Sequence, residues 1–449
     1  MSGSSKDKDV EILSINGHDV RISHPEKLYF TQQVKLSKLD IVKYYLAVAP
    51  GALQGIQDRP IVLKRFVNGA EAEAFYQKRA PSDRPAWLRT VTLSFPSGRT
   101  AEEVVVDDAS GLAWIVNLGC IELHPHPVRS GDLDHPDEMR VDLDPGPGVG
   151  WEDVRSVAME VKALLEEVGL SGWPKTSGSR GMHINVRIQT QWGFDQVRRA
   201  ALALSRAIER RIPALATSKW WKEERHGVFL DYNQNAKDRT TASAYSVRPR
   251  PDARVSAPLA WDEVESCDPA DFTVFTMPAR WAAVGDRHAG MDDAAGSLEA
   301  LLEMAARDER EGLGDAPWPP HFRKMDGEAP RVAPSRARSA AKKAPREKMP
   351  LIVVANSQSK EEALAGLERW KARHPEAARY LAVDDVLVDA MRGRFSTWTR
   401  IRVNLRHVPE NERPPQETPD PDAPPEFKPP SGMDRPAAAA KRRAAAKSE

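Results

Sequence analysis

Two aspartates one residue apart, in Arg140-Val141-Asp142-Leu143-Asp144-Pro145, carry the clearest chemical signal of the chain. Side chains alternate along a strand, so Asp142 and Asp144 project from one face while Val141 and Leu143 point to the other. Two carboxylates on one face repel each other unless a cation sits between them or one takes up a proton. Oxygen-only ligands suit Mg2+ or Mn2+, the ions that accompany phosphate chemistry. The ordinary alternative is a strand end whose acids are solvated or paired with Arg or Lys. Pro145-Gly146-Pro147-Gly148 then turns the chain sharply, which leaves the pair at an open strand end. A third acid, Asp231, closes the apolar run Gly227-Val228-Phe229-Leu230. Three carboxylates are what a two-ion site needs, because ions about 4 Å apart are bridged by shared acids.

A loop capable of holding phosphate lies between them in sequence. Thr176-Ser177-Gly178-Ser179-Arg180-Gly181 supplies two glycines for close backbone approach, two hydroxyls and a guanidinium, and His183 follows. Main-chain N–H groups and such side chains can cradle phosphates; an ordinary tight turn with a surface arginine is the alternative. Arg225, Gln234 and Arg248 stand near the third acid and could hold phosphate oxygens, although each alone reads as a surface or core-edge polar residue. His124-x-His126 by itself could mark a transition-metal site, but no further ligand cluster stands beside it in sequence.

These groups need elements to position them. Trp151 to Val168 carries Val154, Val157, Val161, Leu164, Leu165 and Val168 at helical spacing and ends at Gly169. Met182 to Ile188 alternates His183, Asn185 and Arg187 with apolar residues, which predicts a strand with one polar and one buried face. Asp195 to Ile212 predicts a second helix, and Gly227 to Asp231 a short strand. The expected unit is β-α-β-α-β, an α/β (α+β) fold with helices on one sheet face and an open polar face on the other.

With 449 residues the chain can hold two or three domains. Lys plus Arg equal Asp plus Glu at 65 each, so net charge neither supports nor excludes a polyanionic partner. Two cysteines, Cys120 and Cys267, suit a reducing compartment. The N-terminus has no signal-peptide core and no apolar run reaches membrane-span length, so a soluble protein with no membrane partner is expected. The composition divides the chain into a flexible N-terminus (1–10), a catalytic domain (11–325) and a basic Pro/Ala/Lys/Arg-rich linker (326–349). A small accessory α/β module (350–410) follows, with a strand at Leu351–Ala355, a helix near Lys360–Arg373 and a strand at Trp398–Leu405. A Pro-rich, then basic tail (411–449) is expected to be disordered. Lys324-Met325-Asp326-Gly327 spells the K-x-D-G of nucleotidyl-transferring ligases, but a linker and one small module follow it, so it reads as a chance match.

Taken together, the DLDPG strand, the TSGSRGMH loop and the segment LDYNQN…TTASAYSVRPR resemble the polymerase domain of bacterial DNA ligase D, of the archaeo-eukaryotic primase superfamily. The resemblance runs from about Ser23 to about Met291. It implies a primase-type catalytic core and template-dependent nucleotidyl transfer with two Mn2+ or Mg2+ ions. It also implies a preference for ribonucleotides while filling gaps or extending ends, as in non-homologous end joining or excision repair. Asp142, Asp144 and Asp231 match the family's metal-binding, catalytic acids. His124, Ser177, Arg180, His183, Arg225, Gln234 and Arg248 match its nucleotide contacts; a lysine is also common where Arg180 stands, which changes the donor geometry. Lys27 and Lys38 (or Lys35, since the intervening loop differs by a residue) match two lysines that grip a downstream 5′-phosphate. Lys64, Arg65, Phe75 and Tyr76 interleave cations with rings, which suits DNA, and the family stacks template DNA at Phe75-Tyr76, usually with two phenylalanines. Either ring could instead belong to the core. Implied partners are gapped or broken DNA, NTP or dNTP, and a separate ligase or end-binding protein, in a bacterial cytoplasm near the nucleoid. Two other functions fit the sequence: a primase that starts strands without a primer, and a non-catalytic scaffold that binds DNA ends.

Overall fold

Hydrophobic alternation and helical periodicity build two compact units, residues 1–331 and 332–449. The computed structural model describes residues 10–95, 98–319, 322, 349–392 and 397–423.

The first unit contains two five-stranded sheets. One is built on β1 (Arg59–Arg65), which pairs antiparallel with β2 (Phe75–Gln77), β4 (Thr100–Val106) and β5 (Glu122–Pro125); β3 (Thr90–Ser94) flanks β4. Ahead of it, α1 (Lys38–Ala47) starts at Ser37, whose side chain accepts from the Asp40 N–H in a capping box.

The second sheet carries the acids. Its strands are β6 (Glu138–Pro145), β7 (Gly172–Thr176), β8 (Met182–Arg187), β9 (Ala216–Thr217) and β10 (Val228–Leu230), in the order β7-β8-β6-β10-β9. All neighbours are antiparallel except β9 and β10. The register sets Asp142 opposite His183 and Asp144 opposite Phe229. Met139, Val141, Leu143, Ile184 and Val186 fill one face and are 4% exposed or less. Against them pack α2 (Trp151–Glu167) and α3 (Phe194–Arg211), through Val154, Val157, Val161, Val197, Leu204 and Ile208. Burying each such side chain contributes roughly 1.5–3 kcal/mol, so the apolar face holds the strands in register while the polar face is left to chemistry.

Three sequence expectations need correction. The aspartate strand begins at Glu138, two residues early, and two short strands, β7 and β9, complete the sheet. β7 was hidden because Pro174 interrupts its pattern, and an edge strand tolerates that proline. The polar face is also not open along its length. Glu138, Arg140, Asn185 and Arg187 are 2–7% exposed. Arg140 donates to Glu138 and to the Pro125 carbonyl of the other sheet, at 2.8 and 3.0 Å, and Arg187 pairs with Glu138. Charges that satisfy one another can be buried, so the face opens only towards Asp144.

In the second unit, β11 (Leu351–Ser357), β12 (Val386–Arg392) and β13 (Thr397–Asn404) form an antiparallel sheet in the order β11-β13-β12. A helix, α4 (Lys360–Arg373), contributes Ala363, Leu367 and Trp370 to a core with Ile352, Val354, Ile401 and Val403. β12 was missed because its apolar residues are half-exposed, Val388 at 47%. The expected disorder from residue 411 also needs revision. The Asp420 N–H donates to the Val354 carbonyl at 2.9 Å, Gln416 bonds the Val353 main chain, and Asp420 pairs with Arg369, so residues 416–423 run beside β11. The K-x-D-G tetrapeptide, nearly all of the basic linker and residues 424–449 lie outside the described residues.

Candidate active site

Strand alternation and one backbone hydrogen bond bring the acids together. Asp142 and Asp144 share the polar face of β6, and the Asp231 N–H donates to the Asp142 carbonyl at 2.9 Å. Past the end of β10 the chain tightens into a turn, Tyr232–Asn235, that Asp231 caps by accepting from the Asn233 N–H at 3.0 Å. Ligand oxygens of Asp142, Asp144 and Asp231 then lie within 4.8 Å of one another. Asp142 is 6% exposed, Asp144 is exposed and Asp231 lies between.

Such a cluster is electrostatically unsatisfied by itself. Burial and the charges of Asp144 and Asp231 hold the Asp142 carboxyl well above the usual carboxylate range. Burial and Asp144 push Asp231 up to about 6. A partial loss of solvent at the rim of the cluster raises Asp144 as well, opposed by Arg225 and Arg180. Asp142 Oδ1 is buried and accepts no hydrogen bond, although His183 Nε2 lies 3.3 Å from it. A buried carboxylate oxygen that accepts no hydrogen bond, among two further acids, is the donor set of a hard divalent cation, and the residues present fit one.

Positive groups surround the acids. In the loop after β7, Ser177 Oγ accepts from the Ser179 and Gly181 N–H groups, both at 3.1 Å, which closes a tight turn. Gly178 has φ +65°, and a Cβ there would come 2.4 Å from Arg248 Cγ; a Cβ on Gly181 would come 2.2 Å from the Leu143 carbonyl oxygen. Only glycine lets this loop lie so close to the aspartate strand. Arg180 donates to the Pro145 carbonyl at 3.2 Å. Arg225 lies 3.5 Å over the Phe229 ring and donates to the Lys219 and Trp220 carbonyls. Gln234 donates to Asp231 Oδ2 at 3.0 Å, so here it braces an acid. Arg248 Nη1 lies 2.9 Å from Glu122 Oε1 and His124 Nε2 lies 3.1 Å from Glu122 Oε2.

Two residues that sequence reasoning did not single out organise this ring. Glu122, with its side chain fully buried, gathers Lys64, His124 and Arg248. Burial would push its carboxyl up, but the His124 hydrogen bond, Arg248 and Lys64 outweigh that and hold it at about 2. Lys175, also fully buried, reaches His183 from β7. The signal for Glu122 was its place two residues before His124 on one strand face; for Lys175 it was one charge inside an apolar segment.

Farther along, Phe75 and Tyr76 are 47% and 60% exposed, so neither belongs to the core. Their partners across the strands are Arg65 and Lys64. Arg65 lies 5.4 Å from the Phe75 ring centre and Lys64 5.6 Å from that of Tyr76. Tyr76 also meets His124 edge-on at 6.1 Å, linking this ridge to the ring around the acids. Lys27 is exposed and donates to the Val67 carbonyl at 2.5 Å, whereas Lys38 is 6% exposed and donates to the Ser23 carbonyl at 2.5 Å. Burial, Lys27 and Arg65 lower Lys38 to about 8, so three cations converge there. Lys35 is exposed.

A primase-type core with an acid cluster, a glycine-tight cationic loop and exposed rings defines a nucleotidyltransferase of the primase-polymerase class. The chain belongs to the LigD primase-polymerase domain family, whose family model matches residues 37–288. The multifunctional non-homologous end joining protein LigD of Mycolicibacterium smegmatis is 34% identical over 248 residues, covering 55% of this chain and 32% of the relative. The bifunctional non-homologous end joining protein LigD of Bacillus subtilis is 30% identical over 264 residues, covering 57% and 42%. The solved polymerase domain of Mycobacterium tuberculosis ligase D, in complex with DNA, matches at a TM-score of 0.56 and 33% identity, covering 61% of this chain and 98% of that one. The chain thus spans less than half the length of either full-length relative. Among the described residues, no helix is long and apolar enough to cross a membrane.

Proposed function

We propose that this chain is a template-dependent polymerase that fills short gaps or extends ends in DNA, with a preference for ribonucleotides and two divalent ions at Asp142, Asp144 and Asp231. The observation that carries the reading is the convergence of three carboxylates around a buried Asp142 oxygen that accepts no hydrogen bond, ringed by Arg180, Arg225 and Arg248. When bound, Mn2+ or Mg2+ would supply the charge that activates a primer 3′-hydroxyl and neutralises the leaving pyrophosphate. The acids hold that charge in place and share it between them.

Ser177, Arg180, His183, Arg225, Gln234 and Arg248 orient the triphosphate, with His124 at the edge nearest Tyr76. Phosphoryl transfer asks little covalent chemistry of a protein, so positioning and fixed charge do most of the catalysis. Phe75 and Tyr76 stack template bases while Lys64 and Arg65 meet phosphates. Lys27, Lys38 and Arg65 form the anchor for a downstream 5′-phosphate. The relatives are non-homologous end joining proteins, which supports a repair function for this chain.

Extension of gapped DNA tests the reading, with and without a downstream 5′-phosphate and with ribo- or deoxynucleotides in Mn2+ or Mg2+. Faster ribonucleotide addition, stimulated by the phosphate, is expected. Indifference to the phosphate would remove Lys27 and Lys38 from the DNA site. Incorporation on an unprimed template would add priming to the activity.

A further inference from the structure

The carboxylate of Asp231 is aimed by the turn that follows it. Its Oδ1 accepts from the Asn233 N–H and its Oδ2 from Gln234 Nε2, both at 3.0 Å, and both donors belong to the turn Tyr232–Asn235. Two further carboxylates within the cluster repel it, so its direction holds only as firmly as the turn does. A short 3-10 turn has poor hydrogen-bond geometry and is weak by itself. Two asparagine side chains fasten this one. Asn235 exchanges hydrogen bonds with the main chain of Arg140 on β6, at 2.8 and 2.9 Å. Asn233 is fastened to α3 instead.

There Arg198, 1% exposed, donates from Nε to Asn233 Oδ1 at 2.7 Å. The rest of its guanidinium grips residues 315–318, a strap that follows the helix Glu299–Arg310 and lies beyond the residues that the family model matches. Nη1 donates to Asp315 Oδ1 at 2.7 Å, and Nη2 to the Ala316 and Pro317 carbonyls at 2.6 and 3.2 Å. The Trp318 ring centre lies 3.9 Å from the guanidinium, and Trp318 Nε1 donates to Asp315 Oδ2 at 2.8 Å. Asn233 Nδ2 in turn donates to the Pro317 carbonyl at 3.0 Å. Arginine offers only donors and a carbonyl only accepts, so the Asn233 amide has one possible orientation. Clefts of about 270 and 570 Å³ flank Asp315, so the polar bonds to Arg198 and Asn233 hold the strap where packing is sparse.

We propose that Arg198 is a positioning residue for the third acid: it clamps Asn233 against the strap and thereby fixes the direction in which Asp231 offers its oxygens to a divalent ion. The proposal rests on the metal reading of the acid cluster. Groups that orient a metal ligand from behind typically change metal affinity or activity by about 10–100-fold. Arg198 acts one residue farther back, and Asn235 remains as a second anchor, so the low end of that range is expected.

Mn2+ binding to the full chain, read from the electron paramagnetic resonance signal of free Mn2+, tests this without nucleotide or DNA. Arg198→Lys keeps the charge but loses the fork that joins Asn233 to the strap. It should bind Mn2+ about tenfold more weakly at a temperature where the variant is folded. Asp315→Ala and Trp318→Ala together strip the strap side of the clamp, and should weaken Mn2+ binding in the same direction even if Arg198→Lys does not fold. Leu301→Ala, a buried truncation in the helix Glu299–Arg310, should lower the melting temperature with Mn2+ affinity unchanged. Wild-type Mn2+ affinity in folded Arg198→Lys, or in the strap double variant, would overturn the proposal. So would an equal loss of affinity in Leu301→Ala, which would mark the effect as general loosening. Absence of Mn2+ binding by the wild type would instead sink the metal reading, and the proposal with it.

Discussion

The Asp231 N–H donates to the Asp142 carbonyl at 2.9 Å, so the strand that carries the first two acids is stitched by main chain to the residue that supplies the third. The geometry of the cluster is therefore set by backbone, while its charge is left uncompensated. The first prediction follows from that separation. In the metal-free protein, Asp231 at about 6 and Asp142 above the usual range mean that the folded state holds protons which the unfolded chain releases near pH 4. Stability should fall as pH rises from about 4 through 6. Melting curves in chelator should show this, and Mn2+ should raise the melting temperature at pH 7.5 more than at pH 5. Asp142→Asn should melt a few degrees higher than the wild type in chelator, and should lose the gain from Mn2+.

The exposed rings predict separable effects on template affinity. Phe75→Ala and Tyr76→Ala should each weaken DNA binding by about 1–3 kcal/mol, roughly 5- to 150-fold. The melting temperature should barely move, because both side chains face solvent. Fluorescence anisotropy with a gapped duplex checks this, and unchanged affinity in the double variant would remove template stacking from the account.

Lys38 gives the phosphate anchor a pH limit. A lysine at about 8 is protonated below that pH and neutral above it. Stimulation of gap filling by a downstream 5′-phosphate should hold steady from pH 6.5 to 7.5 and decline as pH rises through 8. Lys38→Gln should show weak stimulation at every pH. A constant stimulation up to pH 9 in the wild type would show that Lys38 is not part of the anchor.

Glu122 is predicted to matter through what it holds. Glu122→Gln removes the buried carboxylate that balances Lys64, His124 and Arg248. A buried charge network broken in this way costs about 3–5 kcal/mol, read as the midpoint of urea unfolding. KM for nucleotide should rise as well, because His124 and Arg248 lose their common support. Wild-type stability and KM together in this variant would contradict the role given to Glu122.

Alternation along residues 140–145 and 182–188 was enough to predict that Asp142, Asp144 and His183 share a face, because a two-residue period leaves no other choice. Helix faces were equally legible from Val154 to Leu165 and from Val197 to Ile208. What sequence pattern could not carry was tertiary. Nothing in the sequence pattern marked Lys38 or Lys175 for burial, yet each is buried with its hydrogens directed to main-chain or side-chain acceptors. The polar face looked open because Glu138, Arg140 and Arg187 find one another only once β6 and β8 pair in register, and Arg140 meets the Pro125 carbonyl only once the other sheet packs against them. Residues 416–423 read as part of a disordered tail, and their place beside β11 comes from main-chain bonds to Val354 and Asn356 that composition does not encode.

Primer extension by the wild type and by Asp144→Ala, on the same gapped duplex over a Mn2+ titration, tests the central claim most directly. Asp144 is exposed and opposite Phe229 at the open end of the strand, so its loss should leave the fold intact. The acid cluster predicts metal-dependent incorporation by the wild type and a fall of roughly 10³-fold or more in the variant, with DNA affinity retained. Incorporation by Asp144→Ala at the wild-type rate would contradict the account.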